Sequence, residues 1–178
     1  LGDSALCDLA GKGRAAFTTD GFVVRPLFFP GGDIGRLAVS GTINDLAVSG
    51  AIPRYLSVGM ILEARFETGT LRKIAASIAQ TAQAAGVRVV TGDTKVVERG
   101  HADGIYITTA GLGTLDGPWD LPAQRVQAGD VILATGPIAC HGMAIMASRE
   151  DLGFSPPIQS DVKPLASLLA ALLRTGLP

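Results

Sequence analysis

The chain alternates between apolar runs that are typical of strands and longer stretches with helical spacing. Five short apolar runs are bounded by glycine, proline or small polar residues, as strands usually are. They cover residues 16–24, 55–62, 87–90, 104–112 and 131–135. The pattern therefore predicts a sheet built from several short strands, with helices between them.

The most regular helical pattern covers residues 70–85, where apolar side chains recur as one buried stripe and Gly86 follows as a stop signal. Asp33 is placed to cap a second helix that runs to about Ser49, because its carboxylate can accept hydrogen bonds from the first turn. Two more helices are expected over residues 141–152 and 164–173.

The helix that follows Asp33 contains several small residues, among them Gly41. A glycine inside a helix costs about 1 kcal/mol relative to alanine. Close packing or a functional group must offset that cost, and Asp45 follows one turn later.

The periodic pattern breaks between Leu115 and Ala128, where Asp, Gly, Pro and Trp replace it. This break predicts a domain boundary, with a first domain over residues 1–117 and the beginning of a second over 118–178. Leu1 is not a start methionine, and the last predicted helix ends shortly before Pro178. We expect a piece of a longer protein, truncated at both ends.

The composition excludes several classes of protein. The 178 residues are 47% hydrophobic and 17% charged, which suits one good core. Lys and Arg total 15 against 16 acidic residues and form no cluster, so no nucleic-acid partner is expected. No apolar stretch is long enough to cross a membrane and no signal peptide is evident, which predicts a cytoplasmic protein. Cys7 and Cys140 are expected to be ordinary reduced thiols.

Three aspartates, Asp20, Asp45 and Asp93, stand where apolar runs break. A carboxylate beside an apolar run is costly to desolvate unless a cation holds it. A magnesium ion that carries phosphates needs such oxygen ligands, together with backbone N–H groups and often an ammonium group. Backbone at Gly92 and Thr94 and the ammonium of Lys95 lie beside Asp93. The alternative is that each aspartate only caps a helix or turn.

Two common nucleotide-binding motifs are missing. Residues 11–14 (GKGR) lack the spacing and the hydroxyl of a P-loop, and residues 111–113 (GLG) lack the third glycine of a dinucleotide fingerprint. Any nucleotide site in this chain must therefore be of another kind.

Several long runs resemble one known family. They are residues 20–39, which include PLFFPGGD at 26–33, then GTINDLAVSGA at 41–51, TGDTKVVERG at 91–100 and a weaker match at 141–144. In this order they are similar to the hydrogenase expression/formation proteins of the HypE family. That family belongs with aminoimidazole ribonucleotide (AIR) synthetase, selenophosphate synthetase and thiamine-monophosphate kinase.

The resemblance implies an α+β, PurM-like N-terminal domain, in which a mixed or antiparallel sheet is covered by helices on one face. Two copies would pair so that two four-stranded sheets close into a barrel, and an incomplete second α+β domain would follow. A sheet with one bare apolar face and open edges also has a physical reason to dimerise. Val58, Val89 and Tyr106 are candidates for the layer between the copies.

The resemblance also implies the site residues. Magnesium would be held by four carboxylates, those of Asp3, Asp20, Asp45 and Asp93. ATP would be held by Thr19, Asn44, Asp45, Gly92, Asp93, Thr94 and Lys95. Lys95 and His141 are the residues expected to be catalytic, although Cys140 stands where the family tends to have an aspartate before the histidine.

The implied function is ATP-dependent carbamoyl dehydration in [NiFe] hydrogenase maturation. A carbamoylated C-terminal cysteine becomes a thiocyanate, whose cyanide goes to the active-site iron. The partners would be a carbamoyltransferase and an iron-carrying scaffold complex. Because Cys7 and Cys140 are not terminal, we expect the chain to be inactive alone.

Two alternatives stay open: a nucleotide-binding dimerisation module without turnover, and a related enzyme such as selenophosphate synthetase or thiamine-monophosphate kinase. The motif PLFFPGGD at residues 26–33 favours the HypE family over the related enzymes.

Overall fold

The computed structural model describes residues 2–117, 119, 121, 123–150 and 152–176, and strands and helices alternate through them. In chain order they are β1 (Ala5–Asp8), β2 (Arg14–Phe22), β3 (Phe28–Phe29), β4 (Gly32–Asp33), α1 (Ile34–Val48), β5 (Ile52–Glu63), α2 (Thr68–Ala84), β6 (Arg88–Val97), β7 (Ile105–Leu115), α3 (Cys140–Glu150) and α4 (Ala166–Arg174).

The long strands form one mixed sheet in the order β1-β2-β7-β5-β6. All neighbours are antiparallel except β5 and β6, which are parallel and are connected through α2. The short strands β3 and β4 pair separately and lead directly into α1. The mixed sheet confirms the expected architecture, although β1 makes it five-stranded within the described residues.

Helices α1 and α2 cover one face of this sheet. Successive residues of β2 and β7 therefore alternate between buried and exposed positions. On β2 the side chains of Ala16, Thr18 and Phe22 are buried on the helical side. The other face is the open face, and it carries Phe17, Thr19, Gly21, Tyr55, Ser57, Gly59, Ile61, Thr91, Asp93, Lys95, Tyr106, Thr108, Ala110 and Leu112.

The two covering helices approach each other closely at Gly35. A β-carbon at this position would lie 2.7 Å from the carbonyl oxygen of Ile74, so glycine is required for the contact. Asp33 caps α1 as predicted, and its Oδ1 accepts hydrogen bonds from the N–H groups of Gly35 and Arg36. Its Oδ2 accepts a hydrogen bond of 2.6 Å from Ser77 Oγ, which ties α1 to α2.

The strand predicted over residues 131–135 was wrong. This segment is irregular, and Val131, Ile132 and Leu133 are 82%, 93% and 72% exposed. Within the described residues it pairs with no other strand, and an apolar run alone does not make a strand. The strand predicted over residues 87–90 was too short, since pairing with β5 carries β6 through the polar residues Thr91–Lys95.

Two of the three residues expected between the copies face the helices instead. Val58 is 7% exposed and belongs to the core, and Val89 pairs with Leu56, which also belongs to the core. The period-2 alternation of the strands places only Tyr106 of the three on the open face. The error arose because strand membership does not fix which face a residue occupies.

The region after the sheet contains α3 and α4 close to their predicted positions. Helix α4 packs on α1 and β5. The predicted boundary falls at Pro118, which lies outside the described residues, as do Leu1, Asp151 and Pro178. Among the described helices, none has the length and apolar composition that a membrane crossing requires.

Candidate functional site

An acidic cluster forms where the second half of α1 lies against β2. The hydroxyl of Thr18 is 3.2 Å from Oδ2 of Asp45 and 2.8 Å from the main-chain oxygen of Asp3, so its single proton is shared between two acceptors. Helix α1, strand β2 and the segment before β1 therefore meet at one hydroxyl group.

Asp20 joins this cluster through the gap that Gly41 leaves in α1. A β-carbon at position 41 would lie 3.6 Å from Asp20 Oδ2 and 3.0 Å from the ring of Phe22. Gly41 and Asp45 are one helical turn apart, so Asp20 lies beside the same stretch of α1. Because β2 approaches α1 closely at this point, a glycine is needed at position 41, the position that stood out in the sequence.

The charges of the cluster repel one another. The pKa of Asp45 is raised above its ordinary value, first by partial burial and then by the negative charges of Asp20 and Asp3, while the Thr18 hydrogen bond opposes the shift. A divalent cation would relieve this repulsion, and carboxylate oxygens are the ligands that Mg²⁺ prefers.

The cluster does not form a complete metal cage. Within the part of the chain that the structure describes, no group of three or more His, Cys, Asp and Glu side chains is arranged to hold a metal ion. Mg²⁺ is usually bound through one or two carboxylates together with waters and phosphates, so Asp20 and Asp45 fit an ion that arrives with a nucleotide.

Asp93 and Lys95 lie elsewhere, on β6 at the edge of the sheet. Their side chains are 66% and 71% exposed and form an ion pair of 2.7 Å. The pKa of Asp93 is lowered by its hydrogen bond with Lys95 and by the N–H group of Thr94. At Gly92 a β-carbon would clash with the main-chain oxygen of Val58, so the two backbones approach closely there.

The sheet register separates Asp93 from Asp20. Asp20 pairs with Thr109 on β7, and Thr109 with Val58 on β5, which in turn pairs with Gly92 on β6. Asp20 and Gly92 are thus at the same level but three strand spacings apart, about 14 Å. Asp93 is on the open face and Asp20 on the helical side, so the structure brings together Asp3, Asp20 and Asp45 but not Asp93 within one copy.

Two polar residues expected at the phosphates are engaged elsewhere. Thr19 lies on the open face and donates a hydrogen bond of 2.9 Å to the main-chain oxygen of Thr109. Asn44 uses both atoms of its amide on main chain, since Nδ2 donates to the oxygen of Lys163 and Oδ1 accepts from the N–H of Leu165. Sequence reasoning missed Thr18, whose signal is its position two residues before Asp20 on the same face.

His141 lies in the first turn of α3 and contacts neither the acidic cluster nor Lys95 through any described hydrogen bond. Its ring Nδ1 is 3.0 Å from Ser160 Oγ, and its ring edge packs on Phe29 at a centroid distance of 5.1 Å. Asp161 supplies the carboxylate that Cys140 does not, but it accepts from the main-chain N–H of His141 rather than from the ring.

Two cavities formed by described residues lie outside the acidic cluster. One of about 560 Å³ is lined mainly by apolar residues, among them Ala51, Trp119, Ala166 and Leu173. Another of about 690 Å³ lies between α1 and α2 and includes Arg36 and Lys73. Asp3, Asp20 and Asp45 line neither of these two cavities.

The fold and the acidic cluster define a class of protein. The family model described as "AIR synthase related protein, N-terminal domain" matches residues 1–115, and the chain belongs to this family. Within that class, the resemblance to the HypE proteins is confirmed. The carbamoyl dehydratase HypE of Bradyrhizobium diazoefficiens is 49% identical over 164 residues, which are 92% of this chain and 47% of that protein.

Solved structures agree with this assignment. The crystal structure of a HypE-HypF complex matches with a TM-score of 0.91 and 46% identity, over 98% of this chain and 56% of that one. The crystal structure of the hydrogenase maturation protein HypE in complex with ATP matches with a TM-score of 0.87 and 43% identity, over 97% and 51%. The chain spans about half the length of the relatives that it matches.

Proposed function

We propose that this chain is the nucleotide-binding part of a hydrogenase-maturation carbamoyl dehydratase. The observation that carries the proposal is the cluster of Asp3, Asp20 and Asp45. It occurs in a chain that is 49% identical to a HypE protein over 164 residues. A crystallised HypE with 43% identity to this chain was solved in complex with ATP.

The reaction we propose belongs to the longer protein. ATP would phosphorylate the amide oxygen of an S-carbamoylated C-terminal cysteine, and loss of that oxygen as phosphate and of two protons would leave a thiocyanate. ATP supplies the leaving group, and Mg²⁺ neutralises phosphate charge when bound. Within this chain, Asp20 and Asp45 would hold the ion, and Thr18 would orient the Asp45 carboxylate.

Lys95 and His141 remain our candidates for catalytic residues. The Lys95 ammonium is exposed and held by Asp93, so it is available to a phosphate or to the reacting amide. Gly92, Asp93 and Thr94 would bind the same phosphates of the nucleotide. Because this group lies on the open face, we propose that it joins the nucleotide site at the surface shared by two copies.

We propose that the chain forms a homodimer through the open face. Phe17, Tyr55, Ile61 and Leu112 on this face are between 37% and 47% exposed, which is unusual for large apolar side chains on neighbouring strands. A second copy would bury them and close a barrel. The further partners that we propose are a carbamoyltransferase and an iron-carrying scaffold complex, in the cytoplasm.

A second candidate function is a nucleotide-binding dimerisation module without turnover, and the half-length match favours it for the chain alone. ATP hydrolysis by this chain, measured beside a longer protein that carries a C-terminal cysteine, separates the two candidates. Turnover by the chain alone would contradict the module. The related kinases and synthetases are less favoured, because the relative that is 49% identical to this chain is a HypE protein.

Calorimetric titration with Mg·ATP tests the site. We expect Asp20→Asn and Asp45→Asn each to weaken binding at least about tenfold, because each removes a charged ligand. The matched control is Asp103→Asn, an exposed aspartate that accepts from Tyr106. Equal affinity of all three variants and the unaltered chain would refute the assignment.

A further inference from the structure

An irregular segment, residues 159–165, lies across the first domain and is named the strap. It follows α3 and leads into α4. The N–H of Ser160 donates a hydrogen bond of 2.8 Å to the main-chain oxygen of Pro30. A β-carbon at Gly31 would lie 2.7 Å from the nitrogen of Ser160, so the strap is in direct backbone contact with the turn before α1.

One stripe of α1 binds the main chain of the strap. Arg36 Nε donates to the oxygen of Val162 at 3.1 Å, and the Asn44 amide pairs with the oxygen of Lys163 and the N–H of Leu165 at 3.1 and 2.7 Å. Positions 36, 40 and 44 recur every four residues and so share one face of the helix. Ser40, between the two anchors, is 1% exposed.

The strap also contacts α3 and the core. Ser160 Oγ accepts from the N–H of Val162 and lies 3.0 Å from the His141 ring, while Asp161 accepts from the main-chain N–H of His141. The side chain of Val162 packs against the core beside Gly32. Gly31 of the PGGD turn, Asn44 and His141, all singled out by the sequence, thus each contact the strap.

A different side of the same helical turn carries the acidic cluster. Asn44 and Asp45 are consecutive, but Asp45 contacts Thr18 of β2 while Asn44 contacts the strap. Helix α1 is therefore held between β2 and the strap. The spacing of Asp45 from Asp20 depends on how α1 lies against β2, and Mg²⁺ is sensitive to such spacing.

We infer that Asn44 and Arg36 are positioning residues that act through the strap on the nucleotide site, and that seating of the strap and nucleotide binding stabilise each other. This inference rests on the proposed function, because it takes Mg·ATP as the ligand of Asp20 and Asp45. By linkage, any effect of the strap on nucleotide affinity must be matched by an equal effect of nucleotide on the strap.

Two variants separate this role from direct nucleotide contact. Arg36 and Asn44 are eight residues apart on α1, about 12 Å along its axis. If Asn44 touched the nucleotide directly, Asn44→Ala would weaken binding and Arg36→Ala would not. If both act through the strap, each weakens Mg·ATP binding about tenfold, and the double variant loses less than the product of the two effects.

Hydrogen exchange at the Leu165 amide reports the strap directly, because this N–H donates to Asn44 Oδ1. Without nucleotide, we expect both variants to exchange this amide about tenfold faster than the unaltered chain. Saturating Mg·ATP should slow the exchange in the unaltered chain. Lys73→Ala, which changes an exposed cation of α2 in the same cleft as Arg36, is the matched control and should alter neither measurement.

The outcomes distinguish the two proposals. Failure of the unaltered chain to bind Mg·ATP would refute the proposed function and the coupling with it. Nucleotide binding that leaves Leu165 exchange unchanged would refute the coupling alone. Fast Leu165 exchange in Arg36→Ala with unaltered nucleotide affinity would refute it as well.

Discussion

At the scale of single residues, Asp45 shows how a carboxylate of the proposed binding site can oppose stability. Its pKa is raised, so the folded chain binds its proton more tightly than the unfolded chain does. The ionised carboxylate therefore destabilises the fold. This penalty is absent below the ordinary value of 3.8 and grows as the pH rises through the folded-state pKa.

The first prediction concerns Asp45→Asn. Without Mg²⁺ at neutral pH, we expect this variant to melt about 1–3 °C above the unaltered chain, since it removes the repelled charge but keeps an oxygen for Thr18. The advantage should vanish when melting is followed below about pH 4. Thermal scans across this pH range check the prediction, and a lower melting temperature for Asp45→Asn at neutral pH would contradict it.

The second prediction concerns Lys95→Gln. The ion pair with Asp93 is exposed, so its loss should leave the melting temperature unchanged within about 2 °C. If Lys95 acts as we propose, dehydration by a longer protein that contains this chain should fall about a hundredfold or more, because the proposed site loses a positive charge. Thermal melting and thiocyanate formation are the two measurements. Unchanged thiocyanate formation by the Lys95→Gln variant would contradict a catalytic role for Lys95.

Single residues also show where sequence reasoning ends. The glycine at position 41 and the acid at position 45 were found from propensity and charge, and the structure places both beside β2. Thr18 and the hydrogen bonds of Asn44 were not found in this way, because their partners are 27 and 121 residues distant. Only tertiary packing determines such contacts.

At the scale of elements, α1 and α2 were predicted well because each has a strong local signal. Asp33 starts α1, and a regular apolar stripe with Gly86 at its end defines α2. Strand β6 and residues 131–135 were predicted poorly for a common reason: strands depend on their partners. Polar β6 is extended by β5, while the apolar run at 131–135 has no partner among the described residues.

The third prediction concerns the crossing of these two helices. Gly35→Ala should destabilise the fold by about 1–3 kcal/mol, because the new β-carbon would meet the main-chain oxygen of Ile74. The matched control is Gly142→Ala in α3, where no described atom lies within 4 Å of the new β-carbon. This control should gain about 0.5–1 kcal/mol from helix propensity. Urea unfolding of both variants is the measurement, and a stable Gly35→Ala would contradict the close contact.

At the scale of the whole molecule, the sheet has a helical side and an open side, and the open side is the surface through which we propose that two copies pair. The expectation of a one-sided sheet came from the resemblance, and the structure confirms it. The residues that face outward could not be assigned without the register, as Val58 and Val89 show. The separation of Asp93 from Asp20 within one copy also depends on the strand order and register, so it could not be predicted from the sequence either.

The fourth prediction concerns dimerisation. Leu112→Arg places a charge in the middle of the open face and should convert dimers to monomers, since a buried unpaired charge is costly. Val126→Arg, at an exposed apolar position outside the sheet, is the control and should leave the dimer intact. Sedimentation at micromolar concentration measures both. A monomeric unaltered chain would refute the dimer proposal.

The bare apolar run at residues 131–135 has a consequence for handling the chain. A short segment of Val, Ile, Leu, Ala and Thr with no charge and no proline resembles the sequences that stack into cross-β fibrils. Gentle heating or long storage at high concentration should therefore produce aggregates that bind thioflavin T. Ile132→Lys should delay their appearance while the melting temperature stays the same, because this side chain contributes little to the fold.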